Sequence, residues 1–383
     1  MYPGSVPIQG RRILEGIAQY LETRGPWSLF IETRATGRLD RAWMERWKGD
    51  GLIGLIRDRA TARFLLRLGI PAVDTYAHGD GLGLPQVVTD HEAIGRLAAQ
   101  HLLERRFEHF AYSGYKGEGW AERRGRGFAG VIADAGHTCW TYPYPRRHSR
   151  LSAWEEAQGK LAGWIVSLPK PVAIMACTDR HAQRVVDACR RADVPVPEQA
   201  AVVGVDNDEE LCRLSNPPLS SVMDDPRKVG FEAARVLEEL MEGRRSPPDT
   251  EPVFIPPIQV VTRRSSDITA IEDKVIAEAV RFIRKRACEG LKVEEVLHRT
   301  ALSRTAFYRR FESAIGRSPH AEVLRIQLDR IKQLLARTDW TLSRIARLTG
   351  FDHPEYLSVV FRRETGMTPG AYRVTSRKTS LSG

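Results

Sequence analysis

The chain has 383 residues, more than one ordinary domain holds, so two or three are expected. Its residues are 42% apolar, enough to bury real cores, and its net charge is +10. No run approaches the roughly eighteen apolar residues of a membrane span, and the opening MYPGSVPIQGRR lacks the apolar core of a signal peptide, so a soluble cytoplasmic protein is expected.

The first 260 residues alternate short apolar runs with segments of helix length. The runs are SLFIE (28–32), GLIGLI (51–56), PAVDTY (71–76), QVVTD (86–90), HFAYSGY (109–115), VAIMACTD (172–179) and AVVGVDND (201–208). Such runs read as strands buried on both faces, and helices are expected near 11–24, 90–105, 120–135, 152–167, 181–192 and 226–242, which together make a parallel α/β region. Several βα units fall on either side of about residue 107, so two lobes are expected, 1–107 and 108–222, with the chain crossing back afterwards. A proline-rich return, EPVFIPPIQVV, then leads into a polar connector at 263–271.

In open α/β sheets, ligands sit beyond the carboxyl ends of the strands. There the chain carries Asp90, Asp179, Asp206, Asn207 and Asp208, and Trp120 and Arg124 open the helix after HFAYSGYKGEG. A sugar is a ring of hydroxyls with apolar C–H faces. Carboxylates, an amide and a guanidinium match the hydroxyls, and an indole matches a face. Each Asp alone also reads as the N-cap of the helix that follows; the set together reads as a site.

Residues 272–383 are of another kind. From Ala270 to Gly383 there are 22 Lys and Arg against 13 Asp and Glu, leaving 36 against 35 before them, so the positive charge belongs almost wholly to this part. Surplus basic charge attracts phosphate and releases counterions. A pattern is also written twice: Phe311, Gly316 and Pro319 recur as Phe361, Gly366 and Pro369, fifty residues on. Ahead of each copy lies a short amphipathic helix, with Val293, Val296 and Leu297 on one face in the first and Leu342, Ile345 and Ala346 in the second. Turns at Ala301 to Ser303 and at Gly350 follow. Phe307 and Phe311, then Leu357 and Phe361, form i, i+4 pairs on the next helices. That is a tandem helix-turn-helix, with a linking helix from about His320 to Arg337. Its outward residues are Arg304, Thr305, Tyr308 and Arg309 in the first unit, and His353, Glu355, Tyr356, Ser358 and Arg362 in the second.

Residues 272–375, down to the closing Gly366, Thr368, Pro369, Tyr372 and Arg373, resemble the AraC/XylS DNA-binding domain. The first region resembles the LacI-type sugar-binding fold related to periplasmic binding proteins, with Asp90 in TDHEAIGRLAAQHLL, Arg124 in RGRGF and Asp206 in GVDNDEE as the positions carried over. WSLFIE, LPKPVAIMACTD, VPVPEQAAVVGVDND, PPLSSV and IEDKVIAEAVRFIRKRACEG extend the resemblance to the xylose operon regulators along nearly the whole chain. The expected fold is an α/β two-lobed periplasmic-binding-protein-like domain followed by an all-α domain with two helix-turn-helix motifs. The resemblance implies an activator that binds a sugar, D-xylose, and an operator duplex as a homodimer, with room for contact with RNA polymerase and no cofactor. That family begins on an apolar strand ahead of its first helix, whereas MYPGSVPIQGRRILEGI opens almost in the helix. Either the start lies upstream or the first lobe lacks that strand, and no ligand contact is assigned there.

Two rival readings stand beside this one. GYKGEGW (114–120) lies between a strand and a helix like a phosphate-binding turn, but its glycines at 114, 117 and 119 miss the GxGxxG spacing, and GDGLG (79–83) leads into a strand. No GxSxG, HExxH or Cys/His nucleophile pattern occurs. Cys139, Cys177, Cys189, Cys212 and Cys288 form no CxxC pair, so neither a disulfide framework nor a metal site is written. An enzyme is therefore disfavoured. The second rival is a DNA-binding regulator whose upper domain only dimerises or senses another ligand.

Overall fold

A computed structural model of the chain describes residues 8–31, 44–56, 58–76, 83–145, 151–245, 251–268 and 273–374. It divides into two compact units, Met1–Ile268 and Thr269–Gly383. No helix among the described residues is long and apolar enough to cross a membrane.

In the first unit the elements in chain order are α1 (Ile8–Arg24), β1 (Leu52–Gly54), α2 (Arg59–Leu68), β2 (Ala72–Asp74), β3 (Val87–Thr89), α3 (His91–Leu103), β4 (His109–Tyr115) and α4 (Gly119–Asp134). Then come β5 (Cys139–Tyr144), α5 (Leu151–Ser167), β6 (Val172–Ala176), α6 (Asp179–Arg191), β7 (Ala200–Val205), α7 (Glu209–Leu214), β8 (Ser220–Met223), α8 (Pro226–Met241), β9 (Val253–Ile255) and β10 (Gln259–Val261). The second lobe is built on a six-stranded sheet in the order β10-β8-β7-β6-β4-β5, parallel except for β10. Its central strands β6 and β7 are buried at every residue, as unbroken apolar runs require when helices cover both faces. β5 escapes sequence reading because CWTYPY alternates and carries Pro143, which a strand at the sheet's edge tolerates.

In the first lobe, β1 pairs with β2 and β3 with β9, and the two pairs are joined by a bridge from Asp74 to Gln86. Val73, Val87, Val229, Val236, Leu237 and Ile255 form the core beneath α8. α1 crosses α8 closely: a Cβ at Gly16 would lie 1.8 Å from the Arg227 carbonyl oxygen, and one at Gly230 2.0 Å from that of Ile13. The strand expected at SLFIE does not form. Residues 25–31 run without regular structure, with Leu29, Phe30 and Ile31 exposed, and Glu32 lies outside the described residues. An apolar run becomes a strand only where a sheet edge takes up its backbone groups, and among the described residues none of β1, β2, β3 and β9 pairs with it.

The lobe boundary also differs from the expected residue 107. α3 packs on α4 in the second lobe, where a Cβ at Gly95 would meet the Arg124 carbonyl oxygen at 2.1 Å, so the first crossing falls at Asp90. The chain returns to the first lobe between β8 and α8, and goes back between β9 and β10. The beginning of the expected connector belongs to this unit too. Ser265 and Ser266 are fully buried, Val202 N donates to Ser265 O at 2.8 Å, and Ser265 Oγ donates to Val202 O at 2.6 Å. A polar tetrapeptide reads as linker, yet here its groups complete the hydrogen bonding of β7 and β8. Residues 269–272 lie outside the described residues.

The second unit holds α9 (Lys274–Arg286), a 3₁₀ turn (Ala287–Glu289), α10 (Val293–Leu297), α11 (Arg304–Ile315), α12 (Pro319–Arg337), α13 (Leu342–Leu348) and α14 (Pro354–Thr365). The repeated punctuation has a structural cause. Gly316 and Gly366 end α11 and α14 in left-handed conformations with φ of 76° and 74°. Ser318 and Thr368 then accept from the amides of Ala321 and Ala371, and a proline opens the next helical turn. Tyr372 closes edge-on to Phe361 at 5.5 Å, and Arg373 donates to Trp340 O at 2.6 Å. Gly350, at φ 78°, is tied to its position doubly, since a Cβ there would also meet Gly290 N at 2.6 Å.

Candidate functional site

The sheet order of the second lobe gathers Arg124, Cys177 and Asp206 at the carboxyl ends of its strands. Arg124, only 2% exposed, lies in the first turns of α4 with Nη1 3.6 Å from Asp206 Oδ1, and it also donates to Cys177 O. Its Nε donates to His91 Nδ1 at 3.4 Å, and its guanidinium lies 5.1 Å from the centroid of the Trp120 ring. Trp120 Nε1 donates to Glu118 Oε2 at 3.0 Å, and the same oxygen accepts from Tyr76 OH, from the first lobe, at 2.9 Å.

From the first lobe, α1 reaches the same place. Gln9 Nε2 donates to Asp206 Oδ1 at 2.7 Å, and Arg12 donates to the carbonyls of Asp206 and Asn207 at 2.9 and 3.2 Å. Asp206 and Asn207 hold φ of 108° and 45°, values that Asp and Asn accept better than most residues and that aim consecutive polar groups off the end of β7. Asn207 Oδ1 accepts from Arg263 Nη2 at 2.8 Å. The arrangement is a set of donors and acceptors flanked by an indole face, able to hold a neutral polyhydroxyl molecule between lobes.

Burial governs the charges. It pushes the Asp206 carboxyl well above the usual carboxylate range, with Arg124 opposing and Asp224 and Asp179 adding to the rise. Burial likewise pushes Asp224 up to about 6 and Asp179 up to about 7. His91 is held well below its usual value by burial and by the Arg124 and Arg123 guanidiniums, so it faces the cleft neutral. Asp179 gives a pH prediction. Its proton leaves the unfolded chain near the ordinary value of 3.8 but the folded chain only near 7, so its contribution to stability is full below the first value and is lost as pH rises through the second. In calorimetric scans between pH 5 and 8, Asp179→Asn should lack this part of the fall. His101 and His181, both lowered to about 3 by burial, act in the opposite direction and are common to the two proteins.

Of the residues picked from the sequence, Trp120, Arg124, Asp206 and Asn207 come together. Asp90 is the N-cap of α3, its Oδ1 accepting from Ala93 N at 2.8 Å, with Oδ2 3.4 Å from Arg96. Asp179 lies buried under the β7 turn, its Oδ2 accepting from Asp208 N at 2.8 Å, and Asp208 caps α7. The Asp179 and Asp208 carboxylates hold the turn that presents Asp206. Sequence reading passed over Gln9, Arg12, Tyr76, His91 and Asp224. Asp224 follows β8, so the carboxyl-end rule could have found it; Gln9 and Arg12 meet Asp206 across nearly two hundred residues and carry no local signal.

In the second unit, Phe307, Phe311, Leu357, Val360 and Phe361 are buried, which turns the opposite faces of α11 and α14 outward. Arg304, Thr305 and Arg309 are exposed and Tyr308 half-buried, with Arg304 lying 3.8 Å from Glu294 and 5.7 Å from the Tyr308 ring. His353, Glu355, Tyr356 and Arg362 are exposed, and His353 takes the N-cap position without a side-chain capping bond. Ser358 is half-buried, its hydroxyl donating to Pro354 O at 2.9 Å. Short helices with polar outward faces, each preceded by a turn and a packed partner helix, have the form that enters a DNA major groove.

Three family models match the chain: a XylR N-terminal domain over residues 6–82, a periplasmic binding protein-like domain over 99–266 and a helix-turn-helix domain over 296–375. Xylose operon regulatory proteins of Escherichia coli strain K12 and Haemophilus influenzae are each 30% identical to it, covering 97% and 96% of this chain and 95% of each relative. A solved structure of xylose-binding transcription activator xylR superimposes with a TM-score of 0.79 at 29% identity, over 97% of this chain and 96% of the other. The likeness to these regulators thus runs along nearly the whole length, through the α/β lobes and the helix-turn-helix domain, and the chain belongs to the xylose operon regulatory proteins, a family of sugar-responsive, DNA-binding regulators of transcription.

Proposed function

We propose that the chain is a cytoplasmic activator of a sugar-catabolism operon that binds D-xylose between its lobes and acts on its operator as a homodimer. The observation that carries this reading is the meeting of Arg124, Asp206 and Trp120 from the second lobe with Gln9 and Arg12 from the first. A pentose hydroxyl takes the place of the Gln9 amide on Asp206, other hydroxyls meet Asn207 and Arg124, and the ring's C–H face lies on Trp120. Ligand that contacts both lobes favours their closed arrangement, and its differential affinity for that arrangement supplies the switching energy. Specificity for D-xylose follows the relatives; contact with RNA polymerase follows from an activator's role. Nothing in this reading calls for turnover, a metal or a cofactor.

α3 offers a route out of the cleft. Its first residue, His91, touches Arg124, while near its other end His101 is hydrogen-bonded to Ser266 Oγ at 2.8 Å and Arg105 Nε donates to Ser266 O at 2.8 Å. A shift of α3 on ligand binding is thereby passed to the last residues before the second unit. The test is fluorescence anisotropy of labelled duplexes selected from a random library by the full-length chain. D-xylose is expected to change the affinity, and L-arabinose and D-glucose to change it less; an affinity indifferent to all three sugars favours the dimerisation-only reading.

On the DNA, the two units read successive major-groove segments on one face, about 34 Å or ten base pairs apart. Arg304, His353 and Glu355, at the starts of α11 and α14, meet base edges, with Thr305, Tyr308, Tyr356 and Ser358 beside them. Arg309 and Arg362, further along, meet phosphate. Arg304→Ala should therefore cost about 1 to 3 kcal/mol and relax sequence preference in one half of the site. Arg362→Ala should weaken all sequences alike and reduce the salt slope by about one. Footprints and salt titrations check both; a footprint over a single groove segment contradicts the arrangement.

A further inference from the structure

The outward face of α14 is polar except at its centre. With Leu357, Val360 and Phe361 buried, a helical advance of roughly 100° per residue puts Glu355, Val359, Arg362 and Arg363 on the opposite side. Val359 is 64% exposed, and Tyr356, 62% exposed, stands at its flank. Fifty residues earlier, the matching position in α11 is Arg309. The two helix-turn-helix units therefore present opposite chemistries at the same place, a charge in one and a small branched hydrocarbon in the other.

An isolated exposed valine on an ordinary surface needs no explanation. On the helix that a helix-turn-helix presents to DNA, what it faces is a base-pair edge. The major groove offers one apolar group that projects to meet a side chain, the C5-methyl of thymine; apart from small C–H edges, the other groups there are hydrogen-bond donors or acceptors that a valine would strip of water without replacing. We propose that Val359 is a specificity-determining residue that packs on the C5-methyl of a thymine in the half of the operator under α14. Glu355 and Arg362 on either side can pair with base edges or phosphate, while Val359 excludes bases that offer only polar edges at its position. This inference rests on the DNA-binding reading and adds to it the identity of one base.

The test uses the full-length chain with D-xylose and a duplex selected by that chain from a random library. Thymines are replaced one at a time by uracil, which removes the methyl and leaves the pairing edge. Burial of one methyl is worth about fourfold in affinity. The expected result is that one replacement in the segment protected by α14 weakens wild type about fourfold and leaves Val359→Ala unaffected, whereas Val359→Thr, which keeps a γ-methyl, remains sensitive. Val359 is exposed, so these variants fold as wild type does. A uracil series flat throughout that segment, as a protein partner for Val359 would give, overturns the proposal, and so does methyl sensitivity unchanged in Val359→Ala. Failure to select any duplex overturns the DNA-binding reading, and the proposal with it.

Discussion

Asp206→Ala is expected to lower sugar affinity at least about a hundredfold. A carboxyl at a strand end can make two hydrogen bonds to hydroxyls, each worth about 1.5 to 3 kcal/mol in the ionised form that Arg124 favours against burial, and each 1.4 kcal/mol is about a factor of ten. The structure adds a second consequence. Asp206 lies 3.6 Å from the buried Arg124, so the alanine variant also loses folded-state stability. Asp206→Asn separates the two effects: it keeps the side-chain shape and the tolerance for the φ of 108°, retains one acceptor oxygen, and should bind sugar with about a tenfold loss. Arg124→Ala should lose binding as well. Asp134→Ala, exposed at the far end of the same helix, should not. Titration calorimetry measures the affinities, and equal losses in Arg124→Ala and Asp134→Ala would point to general destabilisation instead of a site.

The other large effect is expected in the second unit. Glu322, in the first turn of α12 and 2% exposed at its side chain, faces Arg325 at 2.9 Å, Arg317 at 3.2 Å and the buried Arg284 of α9 at 3.8 Å. A carboxylate so placed ties the helix between the two helix-turn-helix units to the helix before them. Arg317 and Arg325 reach solvent, but Arg284 is only 8% exposed at its side chain, and removing the partner of a desolvated charge costs up to about 3 kcal/mol, at the low end of the buried-pair range. Glu322→Ala should therefore raise hydrogen exchange throughout α9 and α12 and abolish tight DNA binding, with sugar affinity unchanged. Glu322→Asp, which is shorter but still charged, should lie between. Exchange in Glu322→Ala indistinguishable from wild type would mean that the three arginines are satisfied without it.

How much could be read beforehand depended on whether a signal was local. β6 and β7 announce themselves because strands covered on both faces are unbroken apolar runs. β8 hides because its Ser220 and Ser221 are buried polar residues; Ser220 Oγ, for one, donates to Arg263 O at 2.7 Å, in a segment that reads as linker. SLFIE misleads in the opposite sense, since its composition fits a strand while the strands of that lobe among the described residues pair without it. That Arg124, Trp120 and Asp206 lie together at the cleft was reachable from strand ends and family resemblance. Asp179 and Asp90 meet the same rule, and what spacing does not carry is that Asp90 also caps α3 and that Asp179 lies buried beneath the β7 turn. The helix-turn-helix units were readable nearly whole, because their caps, turns and apolar stripes are all short-range and written twice.

Calorimetric titration of D-xylose into the full-length wild-type chain tests the central claim most directly. One saturable site per chain is expected, with heat that disappears in Asp206→Ala and Arg124→Ala and persists in Asp134→Ala. No heat with D-xylose at millimolar concentration, or the same isotherm in wild type and Asp206→Ala, would contradict the account.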